Sequence, residues 1–111
     1  MHHYTTANGL QSILKTQKIL PSLRAANPND ARYGDGQYFT DIIPNTKTVT
    51  EISHALVGNP FQGNKFTHYI SLNLTGLPVV LGRKNVFVLL NTAPLNISGR
   101  ILNYGQVTKT K

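Results

Sequence analysis

One run in the second half of the chain constrains the fold more than any other feature. Phe66-Thr-His-Tyr-Ile-Ser-Leu-Asn-Leu74 alternates bulky and polar residues. Successive side chains of a strand point to opposite faces, so Ile70, Leu72 and Leu74 share one face. Val86-Phe-Val-Leu-Leu90 is almost wholly apolar, the pattern of a strand buried on both faces. Val79–Leu81 predicts a further strand, after a turn marked by Gly76 and Pro78, and Ile97, Ile101 and Leu102 predict a final strand or pair. The first half reads differently. His2–Thr5 forms a short strand. Asn8 caps a helix, Gln11 returns the bond, and Leu10, Ile13 and Leu14 fall at i, i+3 and i+4 on its apolar face. Pro21 ends that helix, and residues 21–36 read as loop. A short strand spans Gln37–Thr40, and Pro44 breaks it. A second helix runs from Val49 to about Val57, burying Ile52, Leu56 and Ala55. Gly58–Gly63 is loop. Helices early and strands late make an α+β fold rather than an alternating parallel sheet.

At 111 residues and 40% hydrophobic composition, the chain predicts a single domain over 1–111 with a thin core. It contains no cysteine, which excludes a disulfide framework, a zinc ribbon and a thiol nucleophile. No apolar run approaches the ~20 residues of a membrane span. Met1-His2-His3-Tyr4 lacks the charged and apolar regions of a secretion signal. Eleven Lys and Arg against four Asp and Glu give a net charge of +7. Such a chain attracts anions: nucleic acid, a phosphorylated ligand or an acidic protein. The cations are scattered, so no nucleic-acid-binding arm is present.

The acids are scarcer and limit the chemistry. Any carboxylate mechanism must use Asp30, Asp35, Asp41 or Glu51. Thr48-Val-Thr-Glu51 reads as a capping box, which gives Glu51 a structural task. The histidines stand at 2, 3, 54 and 68, with no pair at a zinc-ligand spacing, so no metal site is expected. His54 belongs on a helix surface and His68 in a strand.

Two stretches can carry chemistry. In His3-Tyr4-Thr5 an imidazole and a hydroxyl project from one face of a strand. The Tyr4 backbone between them is free to bond a planar amide. That suits a ligand with a carboxamide and a ribose hydroxyl. In Arg32-Tyr-Gly34-Asp-Gly36-Gln-Tyr38-Phe39-Thr-Asp41, two glycines allow close backbone approach to a ligand, and Tyr38 and Phe39 offer a face to a flat ring. A dinucleotide fingerprint is absent, because Phe39 stands at the place of a third glycine. The plainer reading is a turn into a strand with Tyr38 in the core.

In order along the chain, His3-Tyr4-Thr5, Asn8-Gly-Leu-Gln-Ser-Ile13, Leu20-Pro-Ser22, Gly34-Asp-Gly-Gln-Tyr-Phe-Thr-Asp41, Phe66-Thr-His-Tyr69 and Pro94–Gly99 resemble the His-Tyr-Asp-signature ADP-ribosyltransferase domains of bacterial polymorphic toxins. The resemblance implies a small split β-sheet with a few flanking helices and a cleft for NAD, with no metal. It implies that His3 bonds a ribose hydroxyl, that the Tyr4 backbone grips the nicotinamide carboxamide, and that Thr5 supports the ribose. Tyr38 would stack on the nicotinamide, with Gly36 and Phe39 beside it, and Arg24 or Arg32 would hold the pyrophosphate. Related transferases place an acid on a late strand, whereas no Asp or Glu follows Glu51 here. Asp41 is the substitute for the third catalytic position, and Asn73 a polar stand-in. A delivered toxin part acting in the target-cell cytoplasm is implied, with an acidic immunity protein and a macromolecular ADP-ribose acceptor. The alternatives are an NAD glycohydrolase, a metal-independent ribonuclease using His54 or His68, and a basic RNA-binding module.

Overall fold

The chain orders itself around two small antiparallel sheets that meet at one corner. The computed structural model describes residues 1–28 and 31–110. Its elements are β1 His2–Thr5, α1 Ala7–Thr16, β2 Lys18–Ile19, β3 Gly36–Phe39, α2 Val49–Val57, a 3₁₀ segment Pro60–Lys65, β4 His68–Leu72, β5 Val80–Arg83, β6 Val86–Leu90, β7 Leu95–Asn96 and β8 Ile101–Gln106. One sheet has the order β1-β4-β8, the other β3-β6-β5, and β2 pairs with β7. This is the expected α+β architecture with few helices.

The central strand of the first sheet is β4, the run whose alternation leads the sequence reading. Ile70 and Leu72 are fully buried, while Leu74, the third residue of the predicted face, lies past the end of β4 and is half-buried. Tyr69 and Ser71, on the opposite face, are buried as well, because β4 is covered on both sides. Ile70 and Leu72 join Leu10, Ile13, Ile19, Phe39, Leu89 and Ile97 in one core. Tyr69 joins Tyr4, Ile42 and Ile52 in a second. The thin β4 layer therefore separates a core built on α1 from a core built on α2.

Both helices start where a side chain can satisfy their free amides. The α2 capping box forms as expected: Glu51 N donates to Thr48 Oγ1, and Thr48 N donates to Glu51 Oε1 at 2.9 Å. That backbone bond holds the Glu51 carboxyl below its usual range. The cap of α1 is a correction. Thr6, not Asn8, is the N-cap, accepting from Gly9 N at 3.0 Å, and Asn8 lies inside the first turn. Within α2, Ile52, Ser53 and Val57 are buried while Ala55 and Leu56 are half-exposed. Ser53 is drawn inward because its hydroxyl donates to Asn59 O and accepts from Gln62 N. Phe87 within β6 is only half-buried and Leu90 at its end is 58% exposed, so the predicted two-sided burial holds for Val86, Val88 and Leu89 alone.

The β2–β7 pair is too short to show a pattern in sequence. It is fixed instead by Gln37, which is 1% exposed and donates to Ile19 O and Ala93 O at 3.0 and 2.9 Å. Among the described residues, no helix is long and apolar enough to cross a membrane.

Replacing Thr6 with Ala should cost about 1 kcal/mol of stability, as loss of a cap does, whereas Asn8→Ala should change little. Urea unfolding of the two variants checks this. An inverted ranking contradicts the cap assignment.

Candidate active site

Among the described residues the backbones of the two sheets pair at one position and then part. His2 N donates to Thr40 O at 2.9 Å, and Thr40 N donates to His2 O at 2.8 Å. In a continued antiparallel ladder the next such pair is Tyr4 with Tyr38. Among the described residues those two backbones exchange no hydrogen bond. The His3 imidazole enters the gap instead, with Nδ1 2.8 Å from Tyr38 O. Alternation along a strand turns the Tyr4 N–H and C=O to the same side as those of His2. They face the opening between β1 and β3.

A crevice of about 220 Å³ occupies that opening. One wall is β1, through His2, His3, Tyr4 and Thr5. Another is Tyr38, Phe39 and Thr40, with Val86 of β6 beside them. The end of α2 and the following segment close it through Val57 and Phe66, and Ser22 lies on the remaining side. This volume is below the ~300–1,000 Å³ of most small-molecule pockets, so a large ligand must extend beyond it.

The electrostatics of this site are set by burial. A carbonyl only accepts, so His3 Nδ1 carries the proton in its bond to Tyr38 O. In the neutral ring Nε2 is then an acceptor. Burial lowers the His3 pKa, and the bond to Tyr38 opposes that. His2 is lowered too, first by burial and then by the terminal ammonium, with Asp41 pulling the other way. Its Nδ1 lies 2.7 Å from Ser71 Oγ. Burial pushes the Tyr4 phenol up to about 12, helped by Tyr69, and its hydroxyl donates to Ile42 O. The Tyr4 side chain is thereby committed to the core, leaving only its backbone for the crevice. The Tyr38 phenol is also raised by burial. It donates to Gly34 O at 2.7 Å and accepts from Tyr33 N at 2.9 Å. The hydroxyl holds the preceding turn, which includes Gly34 at φ +117, and the ring wall is what remains for a ligand.

Of the residues singled out in the sequence, the structure brings together His3, Tyr4, Thr5, Tyr38 and Phe39 on one crevice. Others lie apart from its lining. Asp41 is exposed and accepts from Asn85 Nδ2 at 2.7 Å. Asn73 is exposed past the end of β4, its Oδ1 accepting from Thr75 N. Gly36 makes its close approach to the Leu89 carbonyl of β6, where a Cβ would collide. The ligand approach expected of Gly36 is taken by a neighbouring strand. Arg24 N donates to Asp35 Oδ1, while the Arg24 charge is near enough to lower the Tyr38 phenol. Arg32 Nη2 donates to Val57 O at 3.3 Å, beside the crevice wall. His54 is exposed on α2, and His68 Nδ1 pairs with Thr67 Oγ1. Neither lines the crevice. Asp30 lies outside the described residues. Among the described residues no group of three His, Cys, Asp or Glu is placed to hold a metal ion.

His2, Ser22 and Val86 line the crevice without having been singled out. Their signal is strand register, which the sequence alone does not display.

The family model for the HYD1 signature containing ADP-ribosyltransferase matches residues 1–101. The chain belongs to that family. The match reaches from β1 to the start of β8 and so contains every residue of the crevice. No curated protein and no solved structure matches the chain. The family supplies the class of this ADP-ribosyltransferase domain.

In this domain the His3 imidazole should titrate below its ordinary 6.5. The unfolded chain then binds the extra proton first. The His3 contribution to stability is present above pH 6.5 and is lost as the pH falls from there toward the folded-state value. Histidine NMR titration checks this, and a His3 midpoint at or above 6.5 contradicts it.

Proposed function

We propose that the crevice binds the nicotinamide ribose of NAD and that the domain cleaves the nicotinamide–ribose bond, transferring ADP-ribose to a cellular macromolecule. The observation that carries this reading is the opened β1–β3 ladder. It presents one backbone donor and one acceptor on Tyr4, the pair a carboxamide requires, beside an imidazole whose Nε2 accepts. Family membership independently supports the transfer chemistry.

The roles follow from the chemistry of the leaving group. Nicotinamide departs as a neutral ring from a cationic pyridinium and takes the electron pair of the C1′–N1 bond. Tyr4 N–H and C=O hold the carboxamide, which fixes the ring against Tyr38. His3 Nε2 accepts from a ribose hydroxyl, and Thr5 stands next on the same wall. Orientation of this kind lowers the barrier by holding reacting atoms in place. Arg32 bonds Val57 O of the crevice wall and the Arg24 charge acts on the Tyr38 phenol, and the phosphates of a ligand longer than the crevice would meet one of them. With water as acceptor the same site would act as a glycohydrolase.

The family name and the +7 charge also support the reading of a toxin part delivered to a target-cell cytoplasm and neutralised by an acidic immunity protein.

His3→Ala should lower NAD turnover by at least ~100-fold, consistent with loss of a positioning and hydrogen-bonding group, with the fold retained by circular dichroism. Tyr38→Phe should retain most turnover, because the ring stays, while Tyr38→Ala should lose it. Nicotinamide release from NAD is the readout. Full turnover in His3→Ala and Tyr38→Ala contradicts the site.

A further inference from the structure

We propose that His2 is the base of this site and takes the proton of a hydroxyl acceptor as that oxygen bonds to the ribose. The proposal rests on reading the crevice as the NAD site. Its support is the different setting of two neighbouring imidazoles.

Both His2 and His3 line the crevice, but adjacent residues of a strand turn their side chains to opposite faces. The His3 ring lies 6.0 Å from that of Phe39, a member of the core under α1. The His2 ring lies on the other face and reaches across to β4, where Ser71 stands opposite it and Nδ1 is 2.7 Å from the hydroxyl. The hydroxyl can accept from Nδ1, which leaves the Nε2 lone pair of the neutral ring open. Among the described residues the side-chain polar atoms that are both sealed from solvent and unpartnered belong to Arg83 alone. His2 Nε2 has no hydrogen-bond partner among them either, so it is accessible to a ligand.

A base must also tolerate the charge it gains. Burial lowers the pKa of both imidazoles. For His3 the opposing influence is the Tyr38 carbonyl alone. The charged groups acting on His2 are the Met1 ammonium, which lowers it further, and the Asp41 carboxylate, which raises it. Asp41 follows Thr40, whose backbone is paired with that of His2. The same bonded pair that opens the crevice thus brings a carboxylate near this imidazole. Lys65 shares the wall, but an ammonium has three donors and no lone pair to receive a proton.

The acceptor oxygen forms the bond to C1′, and its proton passes to His2 Nε2. The C1′–N1 bond breaks, and its electron pair leaves with nicotinamide, which becomes neutral. The imidazolium, bonded to Ser71 and near Asp41, then gives the proton to water. Burial leaves His2 unprotonated at neutral pH, and a base poised close to the working pH is the effective kind.

The test uses the full chain with NAD, and water as the acceptor, and measures nicotinamide release. His2→Ala should lower kcat at least ~100-fold, the scale of a lost base, and leave KM for NAD unchanged. His2→Asn keeps a hydrogen-bonding group for Ser71 but takes no proton, and it should be as slow. Added imidazole should restore the kcat of His2→Ala in proportion to its neutral form, and imidazoles of lower pKa should restore less. A raised KM with kcat retained overturns the proposal, by showing that His2 holds NAD. Full kcat in His2→Asn overturns it too, and a loss in Lys65→Ala beside it hands the proton to the lysine. Restoration that ignores basicity overturns it by reducing His2 to a filler of space. If His2→Ala fails to fold, the rate of His2→Asn still decides. In each of these outcomes the unaltered chain releases nicotinamide and the NAD reading stands. Without that release the NAD reading falls, and this proposal falls with it.

Discussion

The hydrogen-bonded pair between His2 and Thr40 is the constraint from which the crevice follows. It joins the β1-β4-β8 sheet to the β3-β6-β5 sheet at one point, and the ladder goes no further. Had pairing continued, the Tyr4 backbone would be satisfied by Tyr38 and no ligand could use it. The His3 imidazole prevents that closure by taking the Tyr38 carbonyl for itself. Strand twist then separates the two backbones, while Ile70 and Leu72 of one sheet and Phe39 and Leu89 of the other pack in a shared core. Tyr4, a member of the core over α2, is anchored by its hydroxyl to Ile42 O, which holds its backbone at the opening.

Much of the architecture was legible in the residues. The alternation in β4, the apolar run of β6 and the capping box of α2 each reflect a local rule with a strong signature. The α1 cap was misplaced because Thr6 and Asn8 both satisfy the chemistry of a cap, and only the chain path decides between them. The β2–β7 pair was missed because each strand spans only two residues, and the buried Gln37 amide that fixes it acts from a distant strand. The motif His3-Tyr4-Thr5 and the pair Tyr38-Phe39 lie together on the crevice. The glycine at 36 shows the limit of motif reasoning: it does permit close approach, but of β6. Register, which places Val86 and His2 on the wall, cannot be read from one strand at a time.

Charge gives the site its character. The crevice joins two imidazoles held toward neutrality by burial to backbone dipoles, with no carboxylate on its described wall. Among the described residues, Arg83 Nε and Nη2 are buried without a hydrogen-bond partner. The family supplies the reaction class.

The most direct measurement is an amide-resolved NMR titration with nicotinamide alone, the fragment that would meet the opened ladder. The account predicts that the Tyr4 amide resonance shifts most, followed by its neighbours on β1 and by Tyr38. Saturable shifts confined to residues away from β1 and β3, or none at all, would contradict it.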